Sequence, residues 1–337
     1  MSPTLLHLLY NLSPVALIGV AVLVFIRARQ TPLWGEAFRR LARNPSARTA
    51  MAVIAIYATI GLADSVGWYD SATQERRTVI DAIFERKPER TYSAPLAEMT
   101  TGEAKPQKIR EKHILGTDSI GADVFYRTLK GVRTAFQIGG MTVLIVTPLA
   151  LLLGLTAGYY GKWRDDVITY IYTVLSSVPG ILLQIAMVLV LGKGIIQICL
   201  ALGITRWVGL CRMVRGETIK HREREYVRSA KALGVTDMVI LVRHILPNLL
   251  PVVIISTTLG FSNLVLSEAI LSYLGVGVPD NVGSWGNMID AARDELARDP
   301  VIWWNLAAAT GAITGLALSL NLFGDALRDA VDPRLRS

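Results

Sequence analysis

Apolar blocks separated by polar segments set the pattern of this chain. Each block is close to the roughly 20 apolar residues that a helix needs to cross the hydrocarbon core of a bilayer. Seven blocks cover residues 5–26, 50–68, 135–160, 167–191, 194–214, 249–274 and 301–323. The pattern predicts an all-α, polytopic transmembrane bundle. For block 5–26 an interfacial helix is the alternative, because His7, Tyr10, Asn11 and Pro14 interrupt its apolar character.

The polar segments predict how the chain is oriented. Lys and Arg predominate in residues 27–48 and 215–244, whereas loop 275–300 is mainly acidic. Because short cytoplasmic loops of membrane proteins are enriched in Lys and Arg, the N-terminus is predicted outside and tail 324–337 in the cytoplasm. The net charge of +8 has the same cause, so it does not indicate nucleic-acid binding.

Two long polar segments divide the chain into three parts. Residues 1–48 hold the first block and a basic cytoplasmic loop, and residues 49–134 hold the second block and an external polar insert, 69–112. Residues 135–337 hold the remaining blocks and cytoplasmic loop 215–248. The insert has two open roles, which are closing the outer mouth of the bundle and contacting an external partner.

The cytoplasmic loop contains the stretch EYVRSAKALGVTDMVILVRHILPN, residues 225–248. Helical spacing places Tyr226, Ala230 and Leu233 on one face, which we expect to pack on the bundle. Gly234 is suited to end that helix. Pro247 marks the predicted start of the next span. The alternative is a solvated connector without a further role.

The same stretch resembles the cytoplasmic loop of ABC importer permeases. The pattern of that family is Glu-Ala-Ala, three residues, Gly, nine residues, then Ile-x-Leu-Pro. When the two are aligned on the glycine, the chain matches at Ala230, Gly234, Leu246 and Pro247. It departs at Arg228, Ser229 and His244.

Three further stretches resemble the C-type permease subunit of dipeptide and oligopeptide importers, a group that includes nickel importers. They are HILGTDSIGADVFYRTLKGVR (113–133), LSYLGVGVPDNVGSWGNM (271–288) and NLFGDALRDAVDPRLRS (321–337). The matches extend over about residues 113–337. Block 5–26 and the length of insert 69–112 depart from the family, whose permeases usually have six spans.

The resemblance implies a type I ABC importer bundle of six core spans in a bacterial inner membrane, with block 5–26 as an extra span. It implies a homologous second permease, two ATPase subunits, an external solute-binding protein and a peptide or peptide-like substrate. ATP and Mg²⁺ would bind to the ATPases. The ATPase-coupling residues implied are Glu225, Tyr226, Arg228, Ser229, Ala230, Leu233, Gly234, Leu246 and Pro247.

The motifs that would indicate chemistry in this chain are missing from its sequence. The stretch TAGYYGKW, residues 156–163, lacks the first glycine and the final Ser or Thr of a phosphate-binding loop. There is no H-E-x-x-H, C-x-x-C or G-x-S-x-G motif, and the four histidines are scattered. We therefore predict a non-catalytic subunit that binds no cofactor or metal.

Two other classes of function stay open. A nickel importer ranks second, because Cys199 and Cys211 are the only thiol ligands in the blocks. A secondary transporter or a membrane scaffold ranks behind it, because no internal repeat or evident set of midplane carboxylates is present.

Polar residues inside the blocks are candidates for a translocation path, because such residues are costly in a bilayer. The candidates are Tyr170, Tyr172, Ser176, Ser177, Gln184 and Glu268. Helix packing is the alternative for each of them. Pro179 and Gly180 are expected to kink the fourth block. Arg206 is predicted to extend toward the cytoplasmic interface.

Overall fold

The computed structural model describes residues 32–69, 76–102 and 105–331, so block 5–26 and the end of the C-terminal tail lie outside it. The helices are α1 (Pro32–Arg43), α2 (Pro45–Ser65), α3 (Val79–Phe84), α4 (Val124–Tyr160), α5 (Lys162–Ser177), α6 (Gly180–Leu191), α7 (Ile195–Arg222), α8 (Glu225–Ala232), α9 (Asp237–Val239), α10 (Leu246–Tyr273), α11 (Trp285–Glu295) and α12 (Trp304–Val331). Two short antiparallel strands, β1 (Gly67–Tyr69) and β2 (Arg76–Thr78), pair Gly67 with Thr78.

The predicted all-α transmembrane bundle is confirmed. Within the described ranges, five helices are long and apolar enough to cross a membrane: α2, α4, α7, α12 and the continuous helix Asp237–Tyr273. Helices α5 and α6 are a sixth candidate if they form one span, but they meet at 89°. The expected kink at Pro179 is therefore a full break, with Val178 and Pro179 lying between the two helices.

Two helix starts differ from the predictions. Helix α4 begins at Val124, where the Asp123 side chain accepts a hydrogen bond from the Tyr126 amide, well before the apolar block. Pro247 lies in the first turn of α10, as predicted, but the helix extends back without a break to Asp237 through a π-helical turn, Ile240–Ile245.

Helices α4 and α7 pack closely along their length because glycines on α4 face α7. A Cβ atom on Gly154 would lie 2.8 Å from the Cβ of Val214, and one on Gly158 would lie 2.7 Å from the Arg215 carbonyl oxygen. Small residues four apart allow helix backbones to approach each other in a bilayer. The α4–α7 pair forms the centre of the bundle, and α10 contacts both helices.

The segment predicted to be external, residues 79–102 and 105–123, folds against the predicted outer end of the bundle; we call it the external segment. The imidazole Nδ1 of His113 is fully buried 2.7 Å from Asp123 Oδ2, and the Trp304 indole donates a 2.9 Å hydrogen bond to the Thr117 carbonyl. The segment is thus held at the start of α4 and the start of α12. This packing makes it part of the folded core of the protein rather than an independent loop.

Candidate functional site

The predicted cytoplasmic loop forms helix α8, which ends as Gly234 predicts. Gly234 has φ of +78°, its amide donates to the Lys231 carbonyl at 3.1 Å, and the Val235 amide donates to the Ala230 carbonyl at 3.1 Å. This pair of bonds is a Schellman motif, in which a left-handed residue ends the helix. A glycine is favoured there because a Cβ atom disfavours positive φ.

The packing face of α8 differs from the prediction. Val227 and Ala230 are buried against Ile240 and Ile245 of the π-helical turn, whereas Leu233 is 84% exposed. Tyr226 is also exposed, and its hydroxyl lies 2.8 Å from Nδ1 of His221. The prediction was right for Ala230 and wrong for Tyr226 and Leu233, because both sides of the helix carry apolar residues and spacing alone did not identify the buried side.

The segment around α8 carries apolar side chains that no other part of the described chain covers. Leu233, Met238 and Val242 are 84%, 66% and 55% exposed. Exposed charged residues are close to them in the sequence, namely Arg224, Glu225, Arg228, Lys231 and Arg243. Exposed apolar groups that cluster inside a polar rim are typical of a protein-interaction surface. We call these three residues and α8 the cytoplasmic surface.

The remaining residues of the cytoplasmic pattern lie on both sides of the π-helical turn. Ser229 is exposed on α8, while Leu246 and Pro247 are the first residues of α10. Arg228 stands where the related loops have glutamate, and its guanidinium donates to Glu223 Oε2 at 2.8 Å. That hydrogen bond lowers the pKa of Glu223, and Arg222 adds to the effect. A carboxylate is thus present beside α8, although it comes from a neighbouring position.

Hydrogen bonds tie the loop to several spans. Arg222 donates to the carbonyl oxygens of Gly158 and Tyr159, at 3.1 and 3.2 Å, at the last turn of α4. The Tyr159 hydroxyl donates to Asp237 Oδ1 at 2.7 Å. Arg215 binds both carboxylate oxygens of Asp165, at 2.5 and 2.6 Å. Displacement of the loop would therefore also displace α4, α5, α7 and α10.

The candidates in the fourth block do not form one polar surface. Tyr172 and Gln184 are buried, and Gln184 Nε2 donates to the Thr205 hydroxyl of α7 at 3.3 Å. Ser176 accepts a 2.8 Å hydrogen bond from Arg212. Tyr170 and Ser177 are exposed on α5. For Tyr172, Gln184 and Ser176 the contacts favour helix packing.

Glu268 is enclosed at the predicted outer end of α10. Its Oε1 accepts hydrogen bonds from Ser272 at 2.8 Å and from Ser284, the N-cap of α11, at 2.7 Å. Only 2% of the residue is exposed. The carboxylate therefore joins α10 to the loop that precedes α11, and it is not accessible from the surface of this chain. These contacts favour a role in helix packing over a role in a translocation path.

Sequence reasoning missed a cavity of about 270 Å³ between α4, α7 and α10, which has a mainly apolar lining and a few polar groups. Arg206 lines it together with Thr147, Ser256, Thr257 and Asn263. Arg206 donates to the Ser267 hydroxyl, so it points toward the predicted outer side, and the expected extension toward the cytoplasm is wrong. The sequence does show polar residues at similar distances from the ends of three apolar blocks. That these residues line one cavity follows only from the packing of the three helices.

A metal site is not evident in the structure. Among residues 32–69, 76–102 and 105–331, no group of three or more His, Cys, Asp or Glu side chains is arranged to hold an ion. Cys199 and Cys211 are both free and buried in α7. The Cys199 thiol lies 3.8 Å from the Ile138 carbonyl oxygen of α4, which gives it a packing contact.

Comparison with known proteins identifies relatives along most of the chain. Residues 150–337 match the family described as binding-protein-dependent transport system inner membrane component. The dipeptide transport system permease protein DppC of Alkalihalophilus pseudofirmus is 32% identical over 304 residues, 90% of this chain and 91% of that protein. The oligopeptide transport system permease protein OppC of Bacillus subtilis is 30% identical, covering 92% and 93% of the two chains.

Two further comparisons give shorter or weaker matches. The glutathione transport system permease protein GsiD of Pectobacterium atrosepticum is 37% identical over 67% of this chain and 74% of that protein. An inward-facing structure of the MetNI methionine ABC transporter aligns over 59% of this chain and 93% of its own chain, with a TM-score of 0.45 and 19% identity.

Proposed function

The chain belongs to the family of binding-protein-dependent transport system inner membrane components, and from this premise we propose that it moves peptides or peptide-like solutes inward as a permease subunit of an ATP-driven importer. The observation that carries the substrate class is the near full-length similarity to relatives named as dipeptide and oligopeptide permeases. The importer lies in a bacterial inner membrane, with the C-terminus of this chain in the cytoplasm.

The working importer combines this chain with a homologous second permease, two ATPase subunits and an external solute-binding protein. ATP and Mg²⁺ bind to the ATPase subunits, which supply the energy. This division of labour is supported by the sequence 156–163, which lacks the residues that a phosphate-binding loop needs. The external segment faces the binding protein.

The cytoplasmic surface is the docking site for one ATPase. Leu233 and Met238 enter a groove of that subunit, and the surrounding charged residues form the rim of the interface. When the ATPases close, they push α8, and the push reaches α4 through Arg222 and α5 through the Arg215–Asp165 pair. The continuous helix Asp237–Tyr273 carries it across the membrane. Solute access then alternates between the two sides.

Gly234→Arg is expected to remove the ATPases from the complex. The substitution puts a bulky charge beside Leu233 and strains the left-handed turn by about 1–2 kcal/mol. In a pull-down of the tagged chain from solubilised membranes, we expect the variant to keep the second permease and to lose most of the ATPase. A wild-type complex without ATPase would contradict the proposed function and favour a secondary transporter or scaffold.

Gly275→Arg is the matched control for this experiment. Gly275 has φ of +73°, and, as at Gly234, no atom lies within 4 Å of an added Cβ. The two variants therefore carry the same backbone strain and the same charge, but Gly275 follows α10 at the predicted outer end. We expect Gly275→Arg to retain both the permease and the ATPases. Equal loss of ATPase in both variants would show general misfolding instead of a local docking role.

A further inference from the structure

Arg206 lies in the apolar middle of α7. It is about 16 Å of helix from Ile195 and about 12 Å from Val214. No Asp or Glu side chain within the described ranges forms an ion pair with it, and its one hydrogen bond there is to the neutral Ser267 hydroxyl. A guanidinium stays charged in proteins. A charge at this depth, without a counter-charge, is costly and indicates function.

The cavity that Arg206 lines also has unused hydrogen-bonding capacity. The hydroxyl oxygens of Thr147 on α4 and Thr257 on α10 are buried and have no hydrogen-bond partner among the residues that the structure describes. Thr258, next to Thr257, instead donates to the Ile254 carbonyl at 2.8 Å. Buried hydroxyls are normally satisfied, so two unsatisfied ones around one cavity indicate that a polar group occupies it in part of the transport cycle.

We propose that this cavity binds the C-terminal carboxylate of a peptide solute during its passage through the membrane. This inference rests on the proposed function, since it requires a peptide to pass this face of the bundle. The planar guanidinium of Arg206 matches both oxygens of a carboxylate. The hydroxyls of Thr147 and Thr257 donate further hydrogen bonds to the same group.

The size of the cavity limits what it recognises. Its volume of about 270 Å³ is at or below the lower end for sites that enclose a small molecule, roughly 300–1,000 Å³. The cavity therefore holds one end of a peptide and leaves the side chains outside. A free carboxyl terminus is common to peptides of every sequence, so recognition of that end is compatible with broad side-chain tolerance.

The residues also explain why binding at this point is weak enough for transport. Arg206 already donates to the Ser267 hydroxyl, and the Ser256 hydroxyl is directed to the Met213 sulfur at 3.2 Å. Part of the polar surface is thus satisfied within the protein. A passing carboxylate gains a charge-assisted contact without being fully enclosed.

The test uses the complex of the two permeases and two ATPases, without the binding protein, and measures binding of radiolabelled tri-alanine and of tri-alanine amide. We expect wild type to bind the acid and Arg206→Gln to bind it at least about tenfold more weakly. Arg206→Lys, which keeps the charge but loses the planar fork, is expected to fall between them. Amide binding is expected to be weak and equal in all three.

Two threonine variants test the hydroxyls without disturbing the charge. Thr147→Val keeps the shape of the side chain and is expected to weaken binding of the acid severalfold. Thr258→Val is the control, because the Thr258 hydroxyl is already bonded within its own helix, and its binding is expected to match wild type.

The results that would contradict the carboxylate site, or the proposed function itself, can be distinguished. Equal loss of acid and amide in Arg206→Gln, or loss of the second permease from that complex, would mean that Arg206 pairs with an acidic residue of the partner, and the inference would be wrong. Unchanged acid binding in Arg206→Gln would also overturn it while leaving peptide transport intact. An assembled, ATP-hydrolysing wild-type complex that binds neither peptide and does not import tri-alanine with its binding protein would contradict both proposals.

Discussion

Lys130→Met is expected to destabilise the external segment by about 3 kcal/mol, because removing one partner of a buried ion pair leaves its counter-charge unpaired. The Lys130 ammonium on α4 lies 2.7 Å from Asp64 Oδ1 and 2.8 Å from Asp81 Oδ1. Both carboxylates are almost fully buried. Asp64 belongs to α2 and Asp81 to α3, so this one cation joins two spans to the external segment. Thermal melting in detergent, together with protease cleavage of the external segment, measures the loss.

Lys112→Met provides a matched control within the same segment. Lys112 pairs with Glu98 at 2.9 Å, but both side chains are largely exposed. Exposed ion pairs contribute about 0–1 kcal/mol, since water solvates each charge well without its partner. We expect this variant to melt within a few degrees of wild type and to resist protease equally. If the two variants behave alike, the three-residue network does not hold the external segment.

The Lys130 network also predicts a pH dependence. Burial by itself would raise the pKa of Asp81, but the hydrogen bond and charge of Lys130, with the Thr78 amide and Tyr126 hydroxyl, lower it below the ordinary value of 3.8. A carboxylate with a lowered folded-state pKa contributes stability above its unfolded pKa, and this stability is lost as the pH falls through the folded-state pKa.

Acidification below about pH 4 is therefore expected to destabilise the external segment of wild type. Lys130→Met lacks the main group that lowers the Asp81 pKa, so its melting temperature is expected to fall less between about pH 7 and pH 3. Melting curves of both proteins at these two values test the difference. An equal fall in both would assign the acid sensitivity to other carboxylates.

The hydrophobic pattern predicted the spans because the thickness of a bilayer fixes the length of apolar helix it requires. Helix ends were less predictable, because polar residues extend the helices where they have tertiary partners. Lys130 lies in the first turns of α4 and binds Asp64 and Asp81, while Arg222 ends α7 and binds the end of α4. A hydropathy pattern assigns such residues to loops, because it contains no information on the residues that they contact in the folded protein.

The candidate sites were predictable to different extents. Gly234 was correctly placed at the end of α8, because the left-handed conformation strongly favours glycine. The buried face of α8 was not, since it depends on Ile240 and Ile245 beneath the helix. Arg206 carried a visible signal as a charge inside an apolar block, but its cavity requires three helices that are distant in sequence.

Gly158→Leu is expected to have an effect on folding as large as that of Lys130→Met, about 3 kcal/mol or more, the upper end for overpacked sites. An added Cβ would lie 2.6 Å from the Thr218 Cβ and 2.7 Å from the Arg215 carbonyl oxygen. The carbonyl belongs to the α7 backbone, so no side-chain rotation relieves the clash and α4 and α7 must separate. Gly311→Leu on α12 is the control, because nothing lies within 4 Å of its added Cβ.

The yield of folded protein in size-exclusion chromatography measures the effect of Gly158→Leu, and we expect it to fall at least about tenfold relative to Gly311→Leu, since each 1.4 kcal/mol changes an equilibrium tenfold. The residual folded fraction is informative as well, because Gly158 supplies a carbonyl that Arg222 binds. Separation of the helices breaks that bond, so hydrogen exchange in α8 is expected to accelerate in Gly158→Leu alone. Normal yield with unchanged exchange would mean that the α4–α7 contact is looser than the structure describes and that Arg222 does not fix the loop.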